Sequence, residues 1–190
     1  MRFLSVLACA TLLFACGTQA QSPPEPETQI AAAVKAAPAP MRDAATVLGY
    51  NDSMELTTLR EGDGQMVCLA DDPDEEDFHV ACYHEALEPF MARGRELRRQ
   101  GRSGAAVDSL RRAEIEDGTL DYPERPTALY NLSGDAYNAA ADSVENGSRL
   151  RVLYVPYETA ETTGLPTKPE GGPWLMAPGE PWAHVMMPGE

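Results

Sequence analysis

The residues best suited to chemistry in this sequence lie in two short segments. His79, Cys82 and His84 fall close together in the first, and His184 and Met186 lie near the end of the chain. Imidazole with thioether sulfur is a soft ligand set that suits copper, and imidazole with thiolate suits zinc. These residues therefore predict a copper or zinc site built on His184 and Met186, to which His79 or His84 could add a ligand.

The spacing of these residues matches no standard metal motif. His84 and Glu85 begin like the zinc-protease pattern, but Glu88 stands where that pattern has its second histidine. A second interpretation is a hydrolase with a non-standard site, in which His184 or His84 meets a carboxylate and a hydroxyl. A third is that His184 is a structural residue that is hydrogen-bonded near the core. The sequence leaves these three alternatives open.

The cysteines predict one disulfide. Of the four in the chain, Cys9 and Cys16 lie in an apolar N-terminal segment, which leaves Cys68 and Cys82 in the remainder. An isolated pair oxidises in an exported protein. By the chain-entropy relation, a loop of this length would stabilise the fold by about 3 kcal/mol. The alternative is that both sulfurs serve as thiolate ligands of a metal.

The N-terminal segment predicts export from a bacterial cytoplasm. Residues 1–20 combine Arg2, a short apolar run and small residues before Gln21, which is typical of a cleaved signal peptide. An alternative is that Cys16 ends a lipobox and carries a lipid anchor. No later segment is long and apolar enough to predict a membrane span. The sequence therefore predicts an extracytoplasmic protein that is periplasmic or secreted, or alternatively an outer-envelope lipoprotein.

Composition narrows the classes of partner. The chain has a formal net charge of −15 and 43% apolar residues. The apolar fraction suits one globular domain, and the acidic excess repels phosphate backbones. We therefore expect no nucleic-acid binding, and the partner is an unknown protein or small-molecule ligand.

Pattern and turn signals predict three regions. Residues 1–20 form the signal, and residues 21–41 are rich in proline and alanine, which favours an extended tether in which residues 28–37 could form a short helix. Residues 42–190 form the globular domain. Its first three short apolar runs predict an antiparallel meander. The apolar stripe after Pro89 predicts a helix that is followed by a second helix capped by Ser103.

The last third predicts further strands, one of which carries His184 and Met186 on the same face. Together these elements predict an α+β fold. A small antiparallel sheet packs against one or two helices in a single loop-rich domain with one disulfide.

Several stretches of the chain resemble a group of exported bacterial proteins whose activity is uncharacterised. The stretches are residues 68–73, 82–84, 87–95, 129–134, 163–169 and 181–186, the last reading PWAHVM. The resemblance implies a secreted single domain with a paired-cysteine loop and a C-terminal segment centred on a histidine. It implies no ligand and no catalytic residue. The sequence therefore favours a non-catalytic binding or envelope-associated domain, and it leaves metal handling and hydrolysis as alternatives.

Overall fold

An eight-stranded sheet forms the centre of the fold in a computed structural model that describes residues 22–189. The predicted signal peptide and Cys16 lie outside these residues. The sheet contains strands β1–β5 and β8–β10, and β6 and β7 form a separate hairpin. The strands are β1 (Thr46–Tyr50), β2 (Leu56–Arg60), β3 (Met66–Leu69), β4 (Phe78–His84), β5 (Thr127–Gly134), β6 (Tyr137–Asn138), β7 (Ser143–Val144), β8 (Ser148–Tyr154), β9 (Trp174–Met176) and β10 (His184–Pro188).

The helices pack on both faces of this sheet. They are α1 (Pro26–Ala33), α2 (Glu88–Arg99), α3 (Gly104–Glu116) and the short α4 (Ala160–Thr163), and a 3₁₀ turn (Val34–Ala36) continues α1. The α+β fold, the single domain and its disulfide are therefore confirmed. The predicted size of the sheet was too small, because the C-terminal strands join the same sheet as the first three. None of the helices within residues 22–189 has the length and apolarity needed to cross a bilayer.

The strand order corrects the predicted meander. The order across the sheet is β2-β1-β3-β4-β5-β8-β10-β9, and β3 runs parallel to β1 while the other pairs are antiparallel. After β2 the chain turns back over the start of β1, where a side chain on Gly62 would come within 2.2 Å of the Ala44 carbonyl oxygen. This close crossing brings β3 to the other side of β1. The prediction failed because turn signals mark strand ends but not partners.

The first face of the sheet is covered by α1 and the 3₁₀ turn. Alternate residues of the central strands point to this face, including Cys68, Val80 and Leu132. They pack against a run of small side chains that are all at most 5% exposed, namely Ala32, Ala33, Ala36 and Ala37. Because these side chains are small, the helix backbone can approach the sheet closely.

From Pro26 onwards the segment is packed on the sheet and is not an extended tether, and the short helix expected within residues 28–37 is present in α1 and the 3₁₀ turn. Most of the segment from residue 26 to residue 41 is helical or 3₁₀ helical, and four of its six alanines belong to the core. Gln29 ties the segment to β1, because its amide donates to the Tyr50 carbonyl at 2.9 Å and accepts from the Tyr50 N–H at 2.8 Å. The domain therefore includes residues that composition alone assigned to a linker.

The second face of the sheet is covered by α2 and α3, as the apolar stripe and the Ser103 cap predict. Ser103 accepts a hydrogen bond from the Ala106 N–H, and Pro89 lies in the first turn of α2. Between the helices lies Arg111, which is 7% exposed and sits 3.8 Å from the centre of the Phe90 ring. Gly94 makes room for this guanidinium, since a side chain there would come within 3.0 Å of it.

Candidate functional site

The disulfide between Cys68 and Cys82 lies beneath α1. The two residues are direct partners in β3 and β4, their Cα atoms are 4.0 Å apart, and neither is exposed. The Cys82 sulfur lies 3.4 Å from the carbonyl oxygen of Ala33. Because the sulfurs are bonded to each other, they are not the thiolate ligands that the alternative interpretation required.

His184 lies on β10, as predicted, with Met186 on the same face. Its Nδ1 is 2.8 Å from the Trp182 carbonyl oxygen, so the neutral ring carries its proton on Nδ1. The ring packs against Tyr154 with 5.1 Å between ring centres. Burial lowers the pKa of His184, and the hydrogen bond to the Trp182 carbonyl partly offsets this effect. These contacts match the structural interpretation of His184.

The other two histidines lie far from His184. His79 and His84 are five residues apart in β4, so they point to opposite faces of the sheet. His84 is used locally, because its Nδ1 accepts a hydrogen bond from the Ala86 N–H at 3.1 Å. Two strands, β5 and β8, separate β4 from β10. The structure therefore does not bring His79 or His84 to His184, and the copper or zinc prediction depends on His184 and Met186 alone.

The acid–base geometry of a hydrolase is not assembled around these histidines. Between residues 22 and 189, no histidine forms an ion pair with a carboxylate. The same part of the chain holds no cluster of three or more histidine, cysteine or acidic side chains placed to bind one metal ion. The residues that the sequence singled out therefore do not converge on one site.

A different set of residues does converge, in a recess of about 320 Å³ on the first face of the sheet. We call it the arginine recess. Arg149 and Arg151 reach it from β8, and Arg42 reaches it from the segment after the 3₁₀ turn. Tyr130 on β5 is the direct partner of Arg151, so both side chains point to the same face. The complete lining is Ala36, Ala37, Pro38, Arg42, Tyr130, Asn131, Arg149, Leu150 and Arg151.

Two of these arginines bind one carbonyl oxygen. Arg149 donates to the oxygen of Lys35 at 2.9 Å, and Arg42 donates to the same oxygen at 3.4 Å. Arg42 also donates through Nε to the Ala37 carbonyl at 2.9 Å. The carbonyls at the end of a helical segment carry partial negative charge, which holds the two guanidinium groups together. Both arginines therefore help to anchor the 3₁₀ turn to the sheet.

Most hydrogen-bond donors of the arginine recess remain available. A guanidinium group carries about five N–H donors, and the hydrogen bonds above use only two from Arg42 and one from Arg149. Arg151 is exposed. In the described part of the chain, none of the three forms an ion pair; the ion pairs there use Lys35, Arg93, Arg95, Arg111 and Arg112. The recess therefore presents N–H donors that make no direct ion pair with a carboxylate of residues 22–189.

The electrostatics of the arginine recess favour an added negative charge. Burial, together with the positive charges of Arg42 and Arg151, lowers the pKa of Arg149. Asp142 interacts electrostatically with Arg42, but its carboxylate is already bound by Lys35 and by the hydroxyl of Tyr137. Hydrogen bonds from Lys35 and then from Tyr137 lower the pKa of Asp142. An anion in the recess would reduce the repulsion among the three guanidinium groups.

The surface formed by residues 22–189 also has an acidic recess and a larger, more apolar recess. One of about 280 Å³ is lined by acidic side chains, including Asp71 and Glu75, together with Phe78 and Tyr137. Carboxylates are abundant in a chain with 30 acidic residues, so their presence there does not by itself indicate a ligand. The other, which we call the distal recess, has a volume of about 630 Å³. Its lining is His84, Ala86, Pro123, Glu124, Arg125, Pro126, Thr127, Ala128 and Leu153.

Sequence reasoning missed the arginine recess. The predicted domain boundary makes Arg42 the first residue after a tether, and the predicted strands of the last third single out His184 and Met186 and no arginine. One local signal was available, since Arg149 and Arg151 alternate with Leu150 and Val152. In a strand this alternation places both arginines on one face. The approach of Arg42 depends on the packing of α1, which the sequence did not predict.

Comparison of the chain with protein-family models, with curated proteins and with solved structures gives no match. The resemblance to exported bacterial proteins stays a prediction. The interpretation of function therefore depends on the geometry and electrostatics described above.

Proposed function

We propose that this chain is an exported, non-catalytic binding domain that takes an anionic small molecule into the arginine recess. The observation that carries the proposal is the convergence of Arg42, Arg149 and Arg151 without an ion-paired carboxylate. Guanidinium groups bind carboxylates and phosphates through charge-assisted, often bidentate hydrogen bonds. A carboxylate or phosphate ligand fits the free donors of the recess.

The overall charge of the chain strengthens this argument. The protein has twice as many acidic as basic residues, 30 against 15. With carboxylates in such excess, an arginine on the surface finds an acidic partner more easily than another arginine. Three neighbouring arginines without a carboxylate partner therefore form a local exception. This arrangement is expected of a binding site in which an anionic ligand supplies the negative charge that neutralises the arginines.

The lining favours binding over turnover. The residues around the arginine recess include no histidine, cysteine, serine or carboxylate that could act as nucleophile or general base. Tyr130 adds a hydroxyl group, and the alanines and Pro38 form an apolar wall. A small number of charged groups on a mostly fixed scaffold is typical of a ligand-binding pocket.

The proposed compartment is extracytoplasmic. Two observations support it: residues 1–20 have the pattern of an export signal, and Cys68 and Cys82 form a disulfide. The proposal includes no nucleic-acid partner, because the net charge of −15 repels phosphate polymers. A small anion meets less of this repulsion, since it contacts only the arginine recess.

The experiment is calorimetric titration of the chain from residue 21 with inorganic phosphate and with citrate. The test variant is Arg149→Gln/Arg151→Gln, and the control is Arg99→Gln/Arg102→Gln, which changes the net charge equally at two exposed arginines of the opposite face. We expect the test variant to lose affinity by about tenfold or more for each arginine removed. The control should bind like the parent chain.

Two results would overturn the proposal. One is the absence of measurable binding of both anions. The other is equal weakening of binding in the test and control variants, because this would mean that net charge alone attracts the anion. Thermal melting of each variant separates lost binding from lost folding.

A further inference from the structure

The apolar surface next to the arginine recess belongs to the same sheet face. Along β8, Leu153 lies two residues beyond Arg151, and along β5, Ala128 lies two residues before Tyr130. Residues two apart in a strand point to the same side. Leu153 is the direct partner of Ala128 on one side and of Val185 on the other. An apolar strip therefore continues from the arginines along β5, β8 and β10.

This strip is partly open to solvent. Tyr130, Leu153, Val185 and Met187 are each neither fully buried nor fully exposed. The main contacts of α1 and the 3₁₀ turn are with β1, β4 and β5, and α2 and α3 pack on the opposite face. On the β9 side, Val185 pairs with Leu175, which is fully buried, so the open part of the strip lies between this covered edge and the 3₁₀ turn.

The strip leads from the arginine recess into the distal recess. Ala128 and Leu153 line the distal recess, while their neighbours on the same face, Tyr130 and Arg151, line the arginine recess. The distance along β8 from Arg149 to Leu153 is about 13 Å at ordinary strand rise. The two recesses therefore lie next to each other on one face of the sheet, with the arginines in one and the apolar side chains of Ala128 and Leu153 at the near edge of the other.

We infer that the ligand is a single-chain amphiphile, with an anionic head group bound by the arginines and an alkyl chain lying along the strip into the distal recess. The inference rests on the proposed function and names its ligand class. A small inorganic anion would fill the arginine recess and leave the adjacent apolar surface uncovered. An alkyl carboxylate or alkyl phosphate satisfies both the arginines and the apolar strip, because each part meets its chemical complement.

The site suits a free amphiphile better than the surface of a membrane. The guanidinium groups lie in a recess between the 3₁₀ turn and β8, where Arg42 and Arg149 are partly buried. A bilayer presents its head groups on a broad surface, and a chain with a net charge of −15 is repelled by anionic lipids. A monomeric ligand can enter the recess without bringing the rest of the protein to that surface.

The experiment measures how the affinity of the protein depends on the length of the ligand's alkyl chain. The chain from residue 21 is titrated with acetate, hexanoate and decanoate below micelle-forming concentrations, and with phosphate and decyl phosphate. We expect affinity to rise by about fourfold for each methylene that becomes buried. The rise should level off once the alkyl chain exceeds the length of the strip.

Two matched strand variants locate the alkyl chain. Leu153→Thr should flatten the dependence on chain length and leave the affinity for acetate and phosphate unchanged. Met176→Thr is the control, because Met176 is an exposed strand residue that pairs with His184 on the opposite face. If Leu153→Thr fails to fold, the chain-length series on the parent protein still decides the question.

The outcomes separate the inference from the proposed function. Equal affinity for acetate and decanoate would overturn the inference of an amphiphilic ligand, but it would leave the proposed anion-binding function intact. A chain-length dependence that Leu153→Thr does not alter would also overturn the inference, as would binding to vesicles of anionic phospholipid without binding of monomeric decanoate. If no carboxylate or phosphate binds at all, the proposed function fails as well.

Discussion

Arg149 in β8 donates a hydrogen bond to the carbonyl oxygen of Lys35, which lies 114 residues earlier in the chain. Through this bond the N-terminal segment and a central strand form one wall of the arginine recess. The recess therefore exists only when α1 and the 3₁₀ turn are docked on the sheet. A chain that begins at residue 42 would lack part of the site as well as part of the core.

The docking of the N-terminal segment can be tested at Gln29, which is 4% exposed and bonds both backbone polar groups of Tyr50. Gln29→Ala leaves the partly buried N–H and carbonyl of Tyr50 without their side-chain partner, so we expect the free energy of unfolding to fall by about 2 kcal/mol. Urea denaturation measures the loss. Glu27→Ala, at an exposed site on the same helix, is the control. Equal stability of the two variants would contradict the docked helix.

Removal of the disulfide should destabilise the chain. Cys68 and Cys82 close a loop with a sequence separation of 14, for which the chain-entropy relation gives about 3 kcal/mol. We expect Cys68→Ala/Cys82→Ala to lose about this amount in urea denaturation. A reductant present during urea denaturation reaches the bond only in unfolded molecules, and it should therefore lower the unfolding midpoint of the parent chain but not that of the variant. An intact mass that shows two free thiols in the oxidised preparation would refute the bridge.

His184 should make stability depend on pH. Burial keeps its folded-state pKa below the ordinary value of about 6.5. The unfolded chain therefore binds a proton that the folded chain does not, and the stability due to the neutral ring is present above about pH 6.5 and is lost as the pH falls below it. Denaturation from about pH 7.5 to about pH 5 should show a steeper loss in the parent chain than in His184→Phe. Parallel profiles would contradict the buried neutral ring.

Arg111 should not tolerate replacement by lysine. Its guanidinium packs on the Phe90 ring and donates to Asp108 at 2.9 Å, and the Phe90 carbonyl lies 3.4 Å away. A lysine has no planar group to stack on the Phe90 ring, and its single ammonium group cannot contact both the Asp108 carboxylate and the Phe90 carbonyl in the same way. We therefore expect Arg111→Lys to lower the free energy of unfolding by about 1–2 kcal/mol. Arg99→Lys is the exposed control. Similar denaturation midpoints for both variants would show that the stacking contributes little.

Patterns within single elements were readable from the sequence. Ser103 caps α3 and Pro89 lies in the first turn of α2. The pairing of Cys68 with Cys82 was predictable because only these two cysteines follow the apolar N-terminal segment. Each of these follows from a rule that acts over a few residues or on one residue type. The strand that carries His184 was also predicted for this reason.

The missed features depend on contacts between distant segments. Ala33 and Ala37 give no hydrophobic stripe, yet their small size lets α1 approach the sheet closely enough to be buried. The parallel pairing of β1 with β3 depends on a crossing at Gly62 that turn signals do not encode. The arginine recess was missed for the first of these reasons, because Arg42 lies near Arg149 only when α1 and the 3₁₀ turn are docked on the sheet.

The position of Cys68 and Cys82 under α1 imposes an order of events on the maturation of the chain. Thiol oxidation needs contact with an oxidant or with another disulfide, and neither sulfur can be reached once the helix is in place. The bond must therefore form while α1 is still undocked, although Ala33 leaves the ribosome 49 residues before Cys82. Afterwards the helix shields the bond from reductants, so the oxidised state outlasts a later change of redox environment.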